Sequence, residues 1–91
     1  MTPETIIKNQ AKDWLDIKGY FHFHIAMSMG AYKGIPDRYA IKNGNAFWIE
    51  FKTPKGKLSI HQEMFKANLE RQGGKYVICR VVPDDLINAG L

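Results

Sequence analysis

The dipeptide Asn43-Gly44 constrains this chain more than any other pair of residues in it. A two-residue type I′ turn needs positive φ at both central positions, which Asn and Gly tolerate, and here they separate two β-prone runs within residues 34–52. The stretch reads as an antiparallel hairpin in which Lys42 faces Asn45 and the numbers of opposed residues add to 87, placing Asp37 opposite Glu50. Opposed side chains share a face with Cβ atoms about 4.5 to 5.5 Å apart. Lys52, two residues beyond Glu50, lies on that face as well. Two carboxylates so close repel one another, and a divalent cation with oxygen ligands is the natural compensation. A three-residue loop that included Asn45 would instead bring Arg38 opposite Glu50.

A chain of 91 residues supports one domain. Such a chain buries only roughly 60 to 65% of its unfolded surface, so a dimer interface would add stability. Thirteen Lys and Arg against nine Asp and Glu give a net charge of +4, which suits a polyanionic partner. Cys79 is the sole cysteine, which excludes an intramolecular disulfide and a cysteine zinc site and leaves it as a small core residue. The start lacks a signal peptide and no apolar run approaches membrane-spanning length, so the expectation is an intracellular protein without a membrane partner.

Along the chain, Thr2 caps a helix that Pro3 and Glu4 open and Gly19 closes, with Trp14 and Leu15 on its buried stripe. Glu4 reads either as a first-turn acid answering the helix dipole or as a third acid aimed at the metal. Residues 20–25 alternate as a half-buried strand with Phe21, Phe23 and Ile25 inward and His22 and His24 toward solvent. Residues 26–33 form a loop whose Tyr32 and Lys33 could track a nucleic-acid strand. Lys52, Lys55 and Lys57 make a basic turn, and Ser59 with Gln62 makes a capping box for a helix to about Gln72 that buries Phe65 and Leu69. Residues 75–82 have the composition of a central strand, parallel to strand 46–52, and Pro83 starts a short terminal helix whose Leu86 and Ile87 pack back.

An acid followed by Glu-x-Lys on a strand suits phosphodiester hydrolysis, because a cation polarises the phosphoryl oxygen and lysine neutralises developing charge. Asp37, Glu50 and the Phe51 carbonyl would supply metal oxygens. Gly34-Ile35-Pro36-Asp37 with Glu50-Phe51-Lys52 resembles the PD-(D/E)XK nuclease superfamily, and the Gly-x-Pro-Asp form, Ser59, Gln62 and the early glutamate resemble its VRR-NUC (virus-type replication-repair nuclease) domain. The likeness spans essentially the whole chain, as in stand-alone domains of phages and bacteria. It implies a mixed α/β (α+β) fold with a restriction-endonuclease-like α-β-β-β-α-β core and a short C-terminal helix. It also implies Mg²⁺ or Mn²⁺ dependence, DNA cleavage leaving a 5′-phosphate, and homodimers acting on branched or junction DNA. By motif matching, Asp37, Glu50, Lys52 and Gln62 carry over as active-site residues and Glu4 as a metal ligand, while Lys33, Arg38, Lys55 and Lys57 are expected along the nucleic acid. The competing readings are a non-catalytic nucleic-acid-binding module and a structural domain whose charged cluster is an ordinary salt bridge.

Overall fold

In the computed structural model, which describes residues 1–26 and 32–91, helix α1 runs from Pro3 to Ile17. The Thr2 side chain accepts from the Thr5 amide, and Pro3 occupies a position whose N–H would be unpaired in any case. The chain continues through β1 (Phe21–His24), β2 (Arg38–Lys42), β3 (Asn45–Phe51), α2 (Ile60–Arg71), β4 (Tyr76–Cys79) and α3 (Asp84–Asn88). This is the expected α-β-β-β-α-β order with a short terminal helix. The four strands form one sheet in the order β1-β2-β3-β4, antiparallel except for the parallel β3–β4 pair reached through α2.

Asn43 (φ 52°) and Gly44 (φ 82°) form the two-residue turn, and Lys42 pairs with Asn45. The register that follows sets Arg38 against Ile49 and Tyr39 against Trp48. The three-residue loop is thereby excluded.

Alternation along β3 divides the sheet into two unlike faces. Ala40, Phe47, Ile49, Phe51, Val77 and Cys79 point to one side and are covered by Ile7, Ala11 and Leu15 of α1 and by Leu86 of α3. Each Val, Leu, Ile and Phe among them contributes about 1.5 to 3 kcal/mol through burial. On the other side lie Phe21, Phe23, Tyr39, Trp48, Glu50 and Tyr76, over which α2 lays Phe65. Helix α2 reaches only β3 and β4, so it has no fully buried residue, and Phe65 and Leu69 are half-covered rather than buried as expected.

Three further expectations are corrected. In β1 the apolar residues are the exposed ones, with Phe21 67% and Phe23 45% accessible. The His22 side chain is instead packed under α1, its Nδ1 accepting from the Arg38 guanidinium (2.8 Å) and its Nε2–H donating to Asp16 (2.6 Å); only His24 is solvated. Strand β4 is an edge strand and looked central because α2 and α3 cover both its faces. Within α3 only Leu86 packs inward, while Ile87 is 57% exposed. Of the loop expected at residues 26–33, positions 27–31 lie outside the described residues.

Candidate active site

The site is built where β2 and β3 cease to pair. Hydrogen-bonded pairs recur every second residue outward from a two-residue turn, so Phe51 and Pro36 would form the next such pair. Pro36 has no N–H, which leaves the Phe51 carbonyl without its ladder donor. The Phe51 amide donates instead to Asp37 Oδ2 (2.9 Å), and the Asp37 carbonyl accepts from the Ile25 amide (2.7 Å). Asp37 is thus held from both sides, its carboxylate beside a carbonyl free to accept a cation. Gly34 (φ 80°) lets the preceding loop press on the start of α2, because a Cβ there would collide with the His61 carbonyl.

Glu50 is the only buried charged side chain among the described residues, at 3% exposure. Its Oε1 is buried with no hydrogen-bond partner. Burial, then a hydrogen bond with Asp37 and the Asp37 charge, push its carboxyl up to about 8, while Lys52 pulls the other way and Glu4 adds a smaller repulsion. Such a carboxyl is neutralised either by a proton or by a cation. The orphaned Oε1, the Asp37 carboxylate and the Phe51 carbonyl, to which Pro36 has no N–H to donate, form an all-oxygen donor set that fits a hard divalent ion.

Around this pair, Lys8 of α1 stands 3.9 Å from Asp37 Oδ1. Lys33, Gly34, Ser59, His61 and Gln62 join the two acids in lining a cavity of about 270 Å³. Gln62 serves two ends at once: its Oε1 accepts from the Ser59 amide (2.9 Å) in the capping box, and its amide nitrogen is left to donate into the cavity. Glu4 sits on the first turn of α1 near enough to be felt by Glu50, but among the described residues no three acids, histidines or cysteines cluster tightly enough to hold an ion by themselves.

Of the expected nucleic-acid contacts, only Lys33 lines this cavity. Arg38 lies on the α1 face with His22, where burial lowers the pKa of its guanidinium. Lys55 and Lys57 ride on the turn that Arg80 clamps through the Thr53 and Gly56 carbonyls (2.6 Å each), and Lys57 borders a separate basic cavity with Lys66 and Arg80.

Sequence reasoning missed Lys8, His61 and Tyr76. Lys8 follows Glu4 by one helical turn, a spacing that would have set both on one face. His61 lies between Ser59 and Gln62, inside the capping box, where nothing in the local pattern marks it as lining a cavity. The Tyr76 hydroxyl is buried without a partner, and burial together with Glu50 and Asp37 raises its pKa; parallel pairing with Trp48 brings it there, which no local pattern announces.

A family model described as the VRR-NUC domain matches residues 23–83. A solved structure described as "VRR_NUC domain" superposes with a TM-score of 0.87 over 100% of this chain and 100% of its own, at 20% identity, a likeness that establishes the fold. A comparison with curated proteins finds no match. No helix among the described residues is long and apolar enough to cross a membrane.

Proposed function

The chain belongs to the VRR-NUC domain family of nuclease domains, and on that footing we propose that it is a divalent-metal-dependent DNA endonuclease selective for branched substrates. The observation that carries metal dependence is the buried, unpartnered Glu50 Oε1 beside Asp37, a pair that is unfavourable until a positive charge joins it.

Asp37, Glu50 and the Phe51 carbonyl would hold Mg²⁺ or Mn²⁺, with Glu4 as an outer acid. When bound, the ion polarises the phosphoryl oxygen and lowers the pKa of water. Lys52, on the Glu50 side of the sheet and felt by its carboxyl, orients the attacking water and offsets the charge that builds on the phosphate. The Gln62 amide donates to a phosphate oxygen in the cavity, and Lys33 attracts the backbone at its rim. Lys8, 3.9 Å from Asp37 Oδ1, places a positive charge beside that carboxylate. Lys55 and Lys57 act along more distant duplex, whereas Arg38 is engaged by His22 on the α1 face.

Asp37→Asn removes one ligand of the ion and should lower cleavage of forked DNA by about 10³-fold in Mn²⁺, while binding to the same DNA persists. Cleavage at the normal rate would remove Asp37 from the mechanism; binding without cleavage by the unmodified chain would leave a non-catalytic binding module.

The part of the sheet that α2 does not reach supports the homodimer. Phe23, Ile25, Ile35, Tyr39 and Trp48 line an apolar hollow of about 370 Å³, continuous with exposed Phe21. An exposed apolar face without charged residues in its lining suits pairing with its own copy about a two-fold axis, which sets no like charges against each other. Phe23→Asp should convert a dimer to a monomer in sedimentation equilibrium, and a protein already monomeric before the change would refute this assembly.

A further inference from the structure

Beyond the catalytic cavity the groove continues into a second hollow of about 270 Å³, lined by Tyr32, Lys33, His61, Met64, Phe65 and Asn68. Lys33 and His61 border both hollows, so whatever lies over Asp37 and Glu50 has this hollow as its immediate neighbour. Neither the acid pair nor the basic turn makes use of it.

Its composition is that of a stacking site. Phe65 forms the floor, wedged by Trp48 (5.8 Å between ring centroids) and Tyr76 (6.4 Å), so it is held by packing. Tyr32 meets Phe65 edge-on, at 5.8 Å and 72°, yet remains 65% exposed, and Met64, in the same lining, is 55% exposed. Two large apolar groups left in water beside a rigid aromatic floor leave a slot for a flat ring. The rim is polar. Asn68 Oδ1 accepts from the Arg71 guanidinium (2.9 Å), which leaves its amide nitrogen to donate, and His61 and Lys33 complete the edge. Close approach of Gly34 to His61 keeps the Tyr32 side of the slot against α2.

We propose that this hollow is a nucleobase subsite: a base unstacked from the strand being cut inserts between Tyr32 and Met64 over Phe65, with Asn68 and His61 meeting its hydrogen-bonding edge. The proposal rests on the nuclease reading for the identity of its ligand. It gives that reading a physical source for branch selectivity, because a base is displaced cheaply only where it is unpaired or next to a junction. Aromatic side chains stack on any base, so selectivity for structure rather than sequence follows.

The test is equilibrium binding without divalent metal, by fluorescence anisotropy, to forked DNA in which a single abasic position is scanned through the arms. Tyr32→Ala and Met64→Ala should each weaken binding roughly ten- to a hundredfold, and Tyr32→Phe should restore it. One abasic position should weaken binding to the unaltered protein by a similar factor and should have no further effect on Tyr32→Ala, because base and ring are two halves of one contact. Equal abasic effects in both proteins, a Tyr32→Ala variant that binds normally, or a protein indifferent to every base would overturn the subsite. Unchanged melting temperatures separate these losses from misfolding. The two readings fail separately: cleavage in Mn²⁺ with no base dependence leaves the nuclease and removes the subsite, whereas base-dependent binding without cleavage does the reverse.

Discussion

The two faces of the sheet have opposite characters although the same strands build both. Under α1 the packing is closed, with Ala11, Leu15, Ala40, Ile49 and Leu86 at zero exposure. Under α2 it is open, and the aromatic ladder Phe23–Tyr39–Trp48–Phe65–Tyr32 runs from the part of the sheet beyond α2 to the groove. The closed face accounts for stability. The open face carries a buried carboxyl with one unpartnered oxygen, an orphaned tyrosine hydroxyl and exposed rings, none of which stabilises an isolated chain. Groups of that kind persist where a ligand completes them.

The sharpest way to break this contrast is to remove the charge on the open face. The Glu50 carboxyl is raised from 4.5 to about 8 in the folded chain. Between those values the folded state holds a proton that the unfolded state has released, so stability falls as pH rises through this window and stays lower above it. Full ionisation against that shift costs up to about 5 kcal/mol. In metal-free buffer, Glu50→Gln should therefore gain stability relative to the parent as pH goes from 5 to 9, measured by urea denaturation. Added Mg²⁺ should stabilise the parent most at high pH, where no proton competes. A stability difference that is flat with pH would refute the buried-charge account.

A change of comparable size is expected from the closed face, where Leu15→Ala should cost about 2 to 5 kcal/mol through lost burial and a cavity. The effect should appear as a lower urea midpoint at every pH. Smaller is the loss from Ser59→Ala, about 1 kcal/mol, since the capping box ties one turn of α2; it should also free Gln62 and loosen the wall of the cavity, visible as faster amide exchange in residues 60–63.

Much of the candidate site was legible from the chain. The Asn43-Gly44 turn set the register, and the register put Asp37 and Glu50 together; Thr2, Ser59 and Gln62 marked the helix starts through their own backbone bonds. These are local relations, decided by φ preferences and by side chains reaching three or four residues away. What misled was burial. Alternation in Phe21-His22-Phe23-His24 told truthfully that two faces differ, but it assigned the inside by hydrophobicity, whereas the inside is the face α1 covers. His22 tolerates that cover because Asp16 and Arg38 satisfy both its nitrogens. Arg38, expected on nucleic acid, is committed to the same network.

Taken alone, the sequence determined element order, the hairpin register, the helix caps and the meeting of two acids at the hairpin's open end, because each depends on conformational preferences of a few consecutive residues. The tertiary structure alone decided which face α1 seals, that Lys8, His61 and Tyr76 gather at the acids, and that Tyr32 meets α2 across a slot. Those outcomes depend on how helices of fixed length cover a sheet wider than α2, and such coverage follows from packing among segments distant in the chain.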